Sequence, residues 1–114
     1  TKEWSEYVKS VEAYIPTYNG DVNMWLNSYA NTVFRGCDYI VCLDTAIGWS
    51  KKTLAVEDMQ YRMYFSSTYS KLLYKTGRKE EAISILQEII NYTKDKNGNY
   101  AIQLAKMKNG EKIW

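Results

Sequence analysis

Histidine is missing from this sequence altogether. Without it the chain holds no Ser-His-Asp triad, no Cys-His nucleophile pair and no His-ligated zinc site. Proline occurs once, at Pro16, and there are only six glycines. So few chain breakers disfavour a turn-rich sandwich or barrel and suit long helices. Cysteine occurs twice, as Cys37 and Cys42. The pair does not form C-x-x-C, and two thiolates do not complete a tetrahedral zinc site. No apolar run approaches the ~20 residues that span a bilayer, so membrane insertion is not expected. Charge of one sign is not in excess either. Fifteen basic and 13 acidic residues leave a net charge of +2, too even a balance to predict nucleic-acid binding. No catalytic residue, metal site or cofactor is expected in the chain. It opens Thr1-Lys2-Glu3-Trp4, with neither an initiator methionine nor a signal peptide. It therefore reads as a piece of something longer, with any targeting signal upstream.

What is present is globular. The 114 residues are 46% apolar and 25% charged, values that fit one folded domain. A chain near this size buries roughly two thirds of its unfolded surface, so it can build a core.

Helical periodicity runs through the whole chain. Trp4, Tyr7, Val8, Val11, Tyr14 and Ile15 mark a first helix over about 2–15, which Pro16 stops and Asn19-Gly20 turns. Asp21 is a plausible N-cap for a second helix, whose stripe includes Met24, Trp25, Tyr29 and Val33 and whose stop is Gly36. A third set, Ile40, Leu43, Ile47 and Leu54, carries Lys51-Lys52 near its end, where cations suit the helix dipole. Residues 38–43 (DYIVCL) resemble a short strand, but a lone strand leaves its backbone unpaired, so helix is the better reading. The fourth helix is predicted over about 59–75. The fifth starts near Glu80-Glu81 and continues through Ala82, Leu86 and Ile89 to Lys94, and a short sixth spans about 99–108. The expected fold is all-α, with about six helices in antiparallel hairpins. Hairpin one covers about 21–55 and hairpin two about 59–95, flanked by helices 2–15 and 99–108.

The two hairpins resemble each other. SYANTVFRG (28–36) with LDTAIGWSKKTL (43–54) aligns with TYSKLLYKTG (68–77) and KEEAISILQEII (79–90). Tyr29 matches Tyr69, Ala30 matches Ser70, Gly36 matches Gly77 and Ala46 matches Ala82, with four extra residues in the first turn. Small residues at matched positions let paired helices approach closely. One hairpin cannot bury its own apolar face, so hairpins of this kind stack.

This pattern resembles the tetratricopeptide repeat, most closely over YSKLLYKTGRKEEAISILQEII (69–90), although Lys94 stands where that family has its closing proline. A narrower likeness runs through LNSYANTVF (26–34), LDTAIGWSKKTL (43–54), TYSKLLYKTGRKEEAI (68–83) and AKMKNGEKIW (105–114). Together these segments are similar to the helical C-terminal region of thioredoxin-like proteins of the bacterial cell envelope. That likeness implies a redox domain ahead of Thr1 and an envelope location. The W-C-x-x-C of the redox domain is absent from this chain, so its activity is not carried over. The repeat resemblance implies that the first helix of each hairpin lines a concave face. By alignment those positions are Asn27, Asn31 and Arg35, then Tyr64, Ser67, Lys71 and Lys75. Two amides and three cations on one face could hold a peptide carboxylate or an acidic segment. The plainer reading is a solvated polar face.

The remaining candidates have structural explanations. Residues five apart on one helix diverge by about 140°, so a Cys37–Cys42 bridge needs Cys37 in the turn. The simpler expectation is a semi-buried Cys42 and a free Cys37, with a redox role as the alternative. Most of the 17 aromatic residues (11 Tyr, 4 Trp and 2 Phe) lie on apolar stripes and are expected in the core. Trp4 and Trp114 could instead pack on a neighbouring domain. Asp58, Glu80 and Glu81 sit where helix starts favour negative charge. The sequence thus points to a non-catalytic helical module making protein–protein or interdomain contacts. Its alternatives are a stand-alone peptide-binding adaptor and a cysteine-dependent redox protein. Docking predicts an apolar patch near Trp4 or Trp114; peptide binding predicts use of Arg35, Lys71 and Lys75.

Overall fold

The computed structural model describes residues 2–14, 22–94 and 97–114. Within them lie six helices: α1 (Lys2–Tyr14), α2 (Asn23–Gly36), α3 (Ile40–Thr53), α4 (Met59–Lys75), α5 (Lys79–Thr93) and α6 (Asn99–Lys108). There is no strand among the described residues. The helices form a stacked array. α2 pairs with α3, α4 pairs with α5, and α3 packs on α4 to join the pairs; α6 continues the stack on α5. Ile15, Pro16, the Asn19-Gly20 turn and the Asp21 cap fall outside the described residues.

Small residues sit where the helices cross. Ala30, Ala46, Ser70 and Ala82 are all fully buried. Ser70 also donates its hydroxyl to the Ala82 carbonyl at 2.8 Å, tying α4 to α5. Leu72, Leu86, Ile89 and Met107 fill the space around these crossings without exposure. α1 lies against α3: Val11 is buried, and Trp49 of α3 donates its indole N–H to Glu12 at 3.3 Å.

The turns differ in chemistry. Gly77 takes φ +90°, and Arg78 N–H reaches back to the Leu73 carbonyl at 2.8 Å, a closure that favours glycine. Its sequence counterpart, Gly36, does something else. It has no positive φ, and a Cβ there would meet the Trp4 ring at 2.6 Å. Gly36 therefore makes room for α1. At the start of α4, Asp58 caps as its position suggests, accepting the Tyr61 N–H at 3.2 Å. Arg62 then donates through Nε and Nη2 to the Val56 carbonyl, holding the α3–α4 loop.

The cysteines overturn the simpler expectation. Cys37 and Cys42 form a disulfide, and Cys37 is completely buried. The physical reason is that Cys37 is extended (φ −101°, ψ 134°) and ends α2. The helical divergence therefore does not apply, because only Cys42 lies on α3.

Lys94 ends α5 in the left-handed region, at φ 61°. A side chain there costs roughly 1–2 kcal/mol. Lys94→Gly is accordingly expected to raise the unfolding free energy by about 1 kcal/mol, read as a higher urea midpoint at unchanged slope. A lower midpoint would contradict it.

Candidate functional site

Two surfaces can be built from the residues upward. The first is the face shared by α2 and α4. Asn31 Nδ2 donates to Thr68 Oγ1 across the helices at 3.3 Å. Asn27 is buried, with its Oδ1 unpartnered by any hydrogen bond. Ser67 is buried too, and donates to the Tyr64 carbonyl one turn back at 2.7 Å. These three polar groups thus sit in or across the packed part of the face. Tyr64 and Arg35 are exposed.

Lys75 is held by its own chain. Its Nζ donates to the Phe34 carbonyl at 2.6 Å and lies 3.3 Å from Asp38. The lysine side chain is 3% exposed, the aspartate 85%. Phe34 is in the last turn of α2, where carbonyls lack helical partners, so Lys75 serves as a C-terminal cap supplied by another helix. Trp114 adds a lid: the Lys75 ammonium is 5.1 Å from its ring, and the ring packs edge-on against Phe34 and Tyr74. Tyr74 fixes this segment by donating its hydroxyl to the Glu111 carbonyl at 2.6 Å. Lys71 lies over the same Phe34 ring at 5.4 Å. Burial, and secondarily the neighbouring Arg35, hold its pKa below the ordinary lysine value.

The second surface is an apolar groove of about 430 Å³ between α1 and the start of α3. Trp4, Ser5, Val8 and Lys9 form one wall; Tyr39, Ile40, Val41, Cys42 and Thr45 form the other. Tyr39, Ile40 and Val41 are consecutive, and 52%, 53% and 76% exposed respectively. The disulfide fixes this wall by joining the end of α2 to the first turn of α3. Trp4, one of the two tryptophans expected to pack on a neighbouring domain, lines this groove. The other wall was not singled out as a site. Its signal was the DYIVCL run, an apolar stretch with little polar face, which on a helix must leave some apolar residues uncovered.

No group of three or more Cys, Asp or Glu able to hold a metal comes together among the described residues. No helix among them is long and apolar enough to cross a membrane. Compared with known proteins, the chain matches no family model, no curated protein and no solved structure.

Proposed function

We propose that this chain is a non-catalytic helical-repeat module that works by contact, docking onto a thioredoxin-like domain of its own polypeptide. The observation that carries this reading is the bare apolar groove between α1 and α3. Three adjacent exposed apolar side chains, facing Trp4 and Val8, are the kind of patch that marks a protein contact. α1 forms one wall, so a domain joined ahead of it would lie within a few residues of the groove. The likeness of 26–34, 43–54, 68–83 and 105–114 to envelope thioredoxin-like proteins supplies the kind of neighbour.

Hydrogen exchange tests this by comparing the isolated chain with the full-length polypeptide. Amides at 4–8 and 39–45 are expected to exchange at least tenfold more slowly in the full-length protein. Val41→Asp is expected to abolish that difference while leaving helicity intact, since an acidic residue suits the first turn of α3. Equal exchange in the two proteins, or a reading frame with no such domain ahead of Thr1, would overturn the proposal.

A further inference from the structure

We infer that Cys42 is a thiol–disulfide exchange site: a thiolate entering the groove between α1 and α3 attacks its Sγ and displaces Cys37. The inference does not depend on what docks in the groove, because a small thiol needs only its opening.

The two sulfurs of the bridge are not equivalent. Cys37 is 0% exposed and does not line the groove; Cys42 keeps 5% exposure and does line it. Exchange proceeds by attack of a thiolate on one of the two sulfurs, so access decides which one is taken. Lys9 lines the same groove, and its cation favours the approach of an anionic thiol.

The displaced sulfur also needs a place for its charge. The Tyr39 backbone N–H donates to Cys37 Sγ at 3.3 Å, a hydrogen bond that strengthens as that sulfur becomes a thiolate. In this first step a bond forms between the incoming sulfur and Cys42, and the Cys37–Cys42 bond breaks. A second thiolate then attacks the incoming sulfur of the mixed disulfide, and Cys42 leaves. Cys42 lies in the first turn of α3, where free backbone N–H groups favour a thiolate. Once protonated, its thiol can donate to the Tyr39 carbonyl, 3.3 Å away. In all, two thiols lose two electrons and join as a disulfide, the bridge gains those electrons, and the two thiol protons pass to Cys37 and Cys42.

The exchange acts on the shape of the groove. Asp38, Tyr39, Ile40 and Val41 lie inside the ring that the bridge closes. Three of them line the groove, and Asp38 pairs with Lys75. The redox state of the bridge therefore sets how firmly that wall is held.

Glutathione, added to the whole folded chain in low-salt buffer, is the probe. The reaction is quenched with N-ethylmaleimide, and tandem mass spectrometry locates both adducts. Glutathione on Cys42 with maleimide on Cys37 is expected to exceed the reverse arrangement at least tenfold. The rate is expected to stay unchanged in urea well below the unfolding midpoint, which separates attack on the folded protein from attack on an unfolded one. Lys9→Glu is expected to slow glutathione about threefold and to leave uncharged mercaptoethanol unaffected. If the mixed disulfide is too short-lived to trap, the single variants carry the test. Free Cys42 in Cys37→Ser is expected to react with dithionitrobenzoate at least tenfold faster than free Cys37 in Cys42→Ser. Adducts on Cys37 or shared equally, equal reactivity of the two free thiols, or an unchanged glutathione rate in Lys9→Glu would overturn the inference. So would a rate that rises with urea in step with unfolding, or no exchange in the folded protein.

Discussion

Leu86→Ala is expected to lower the unfolding free energy by about 2–5 kcal/mol. Leu86 has no exposed surface and sits on α5 one turn beyond Ala82, whose carbonyl accepts from Ser70 of α4. Truncation removes the transfer energy of the lost methyl groups and leaves a cavity. The cavity cannot collapse easily, because Ser70 and Ala82 already hold the two backbones together through the 2.8 Å hydrogen bond. A domain of this size has a total stability of roughly 6–17 kcal/mol, so the loss is a large fraction. Urea unfolding followed by circular dichroism measures it. A midpoint within error of the parent protein would mean that Leu86 is not in the core.

Reducing the disulfide is expected to cost about 2 kcal/mol. The bridge closes a loop of about six residues, for which the loss of unfolded-state entropy gives that magnitude. At about 4 °C per kcal/mol for a chain this long, the melting temperature falls by about 8 °C. Melting curves with and without dithiothreitol measure the effect, and a Cys37→Ser/Cys42→Ser variant is expected to resemble the reduced protein. Coincident oxidised and reduced curves would contradict a bridge that stabilises the protein by constraining its unfolded chain. The reduced form is also expected to expose Tyr39, Ile40 and Val41 further, since the bridge anchors their turn.

The helices were legible in the sequence because propensity, period and end signals agreed. α4 and α6 occupy the expected ranges, with α4 starting behind the Asp58 cap and ending at the Gly77 turn. The small residues Ala30, Ala46, Ser70 and Ala82 announced the crossings, since only small side chains allow that approach. Sequence alignment went too far with the glycines. Gly77 serves a turn and Gly36 serves a neighbouring helix, a distinction that depends on where Trp4 lies in three dimensions. The disulfide was hidden for a related reason. Whether five-residue spacing permits a bridge depends on one backbone conformation, and Cys37 is extended.

The candidate surfaces were legible in part. Spacing set Asn27, Asn31 and Arg35 on one face of α2, and Tyr64, Ser67, Lys71 and Lys75 on one face of α4, but only the likeness to the tetratricopeptide repeat joined the two. The capture of Lys75 could not be read from spacing, because its partners Phe34, Asp38 and Trp114 are distant in the chain. The groove was half visible through Trp4. Its other wall became clear only once α1 was seen to leave Tyr39, Ile40 and Val41 bare.

Lys75 also bears on how the array comes apart. Stacked helical hairpins touch mainly their neighbours, which permits them to open one at a time. Here a single ammonium holds the end of α2, the turn that follows it and the ring of Trp114. A few residues away, Tyr74 fastens Glu111. Opening either hairpin alone would break all of these contacts at once, a larger loss than one hydrogen bond. The two hairpins are thereby expected to open together, so that an array free to fray from its ends would lose its structure in one step.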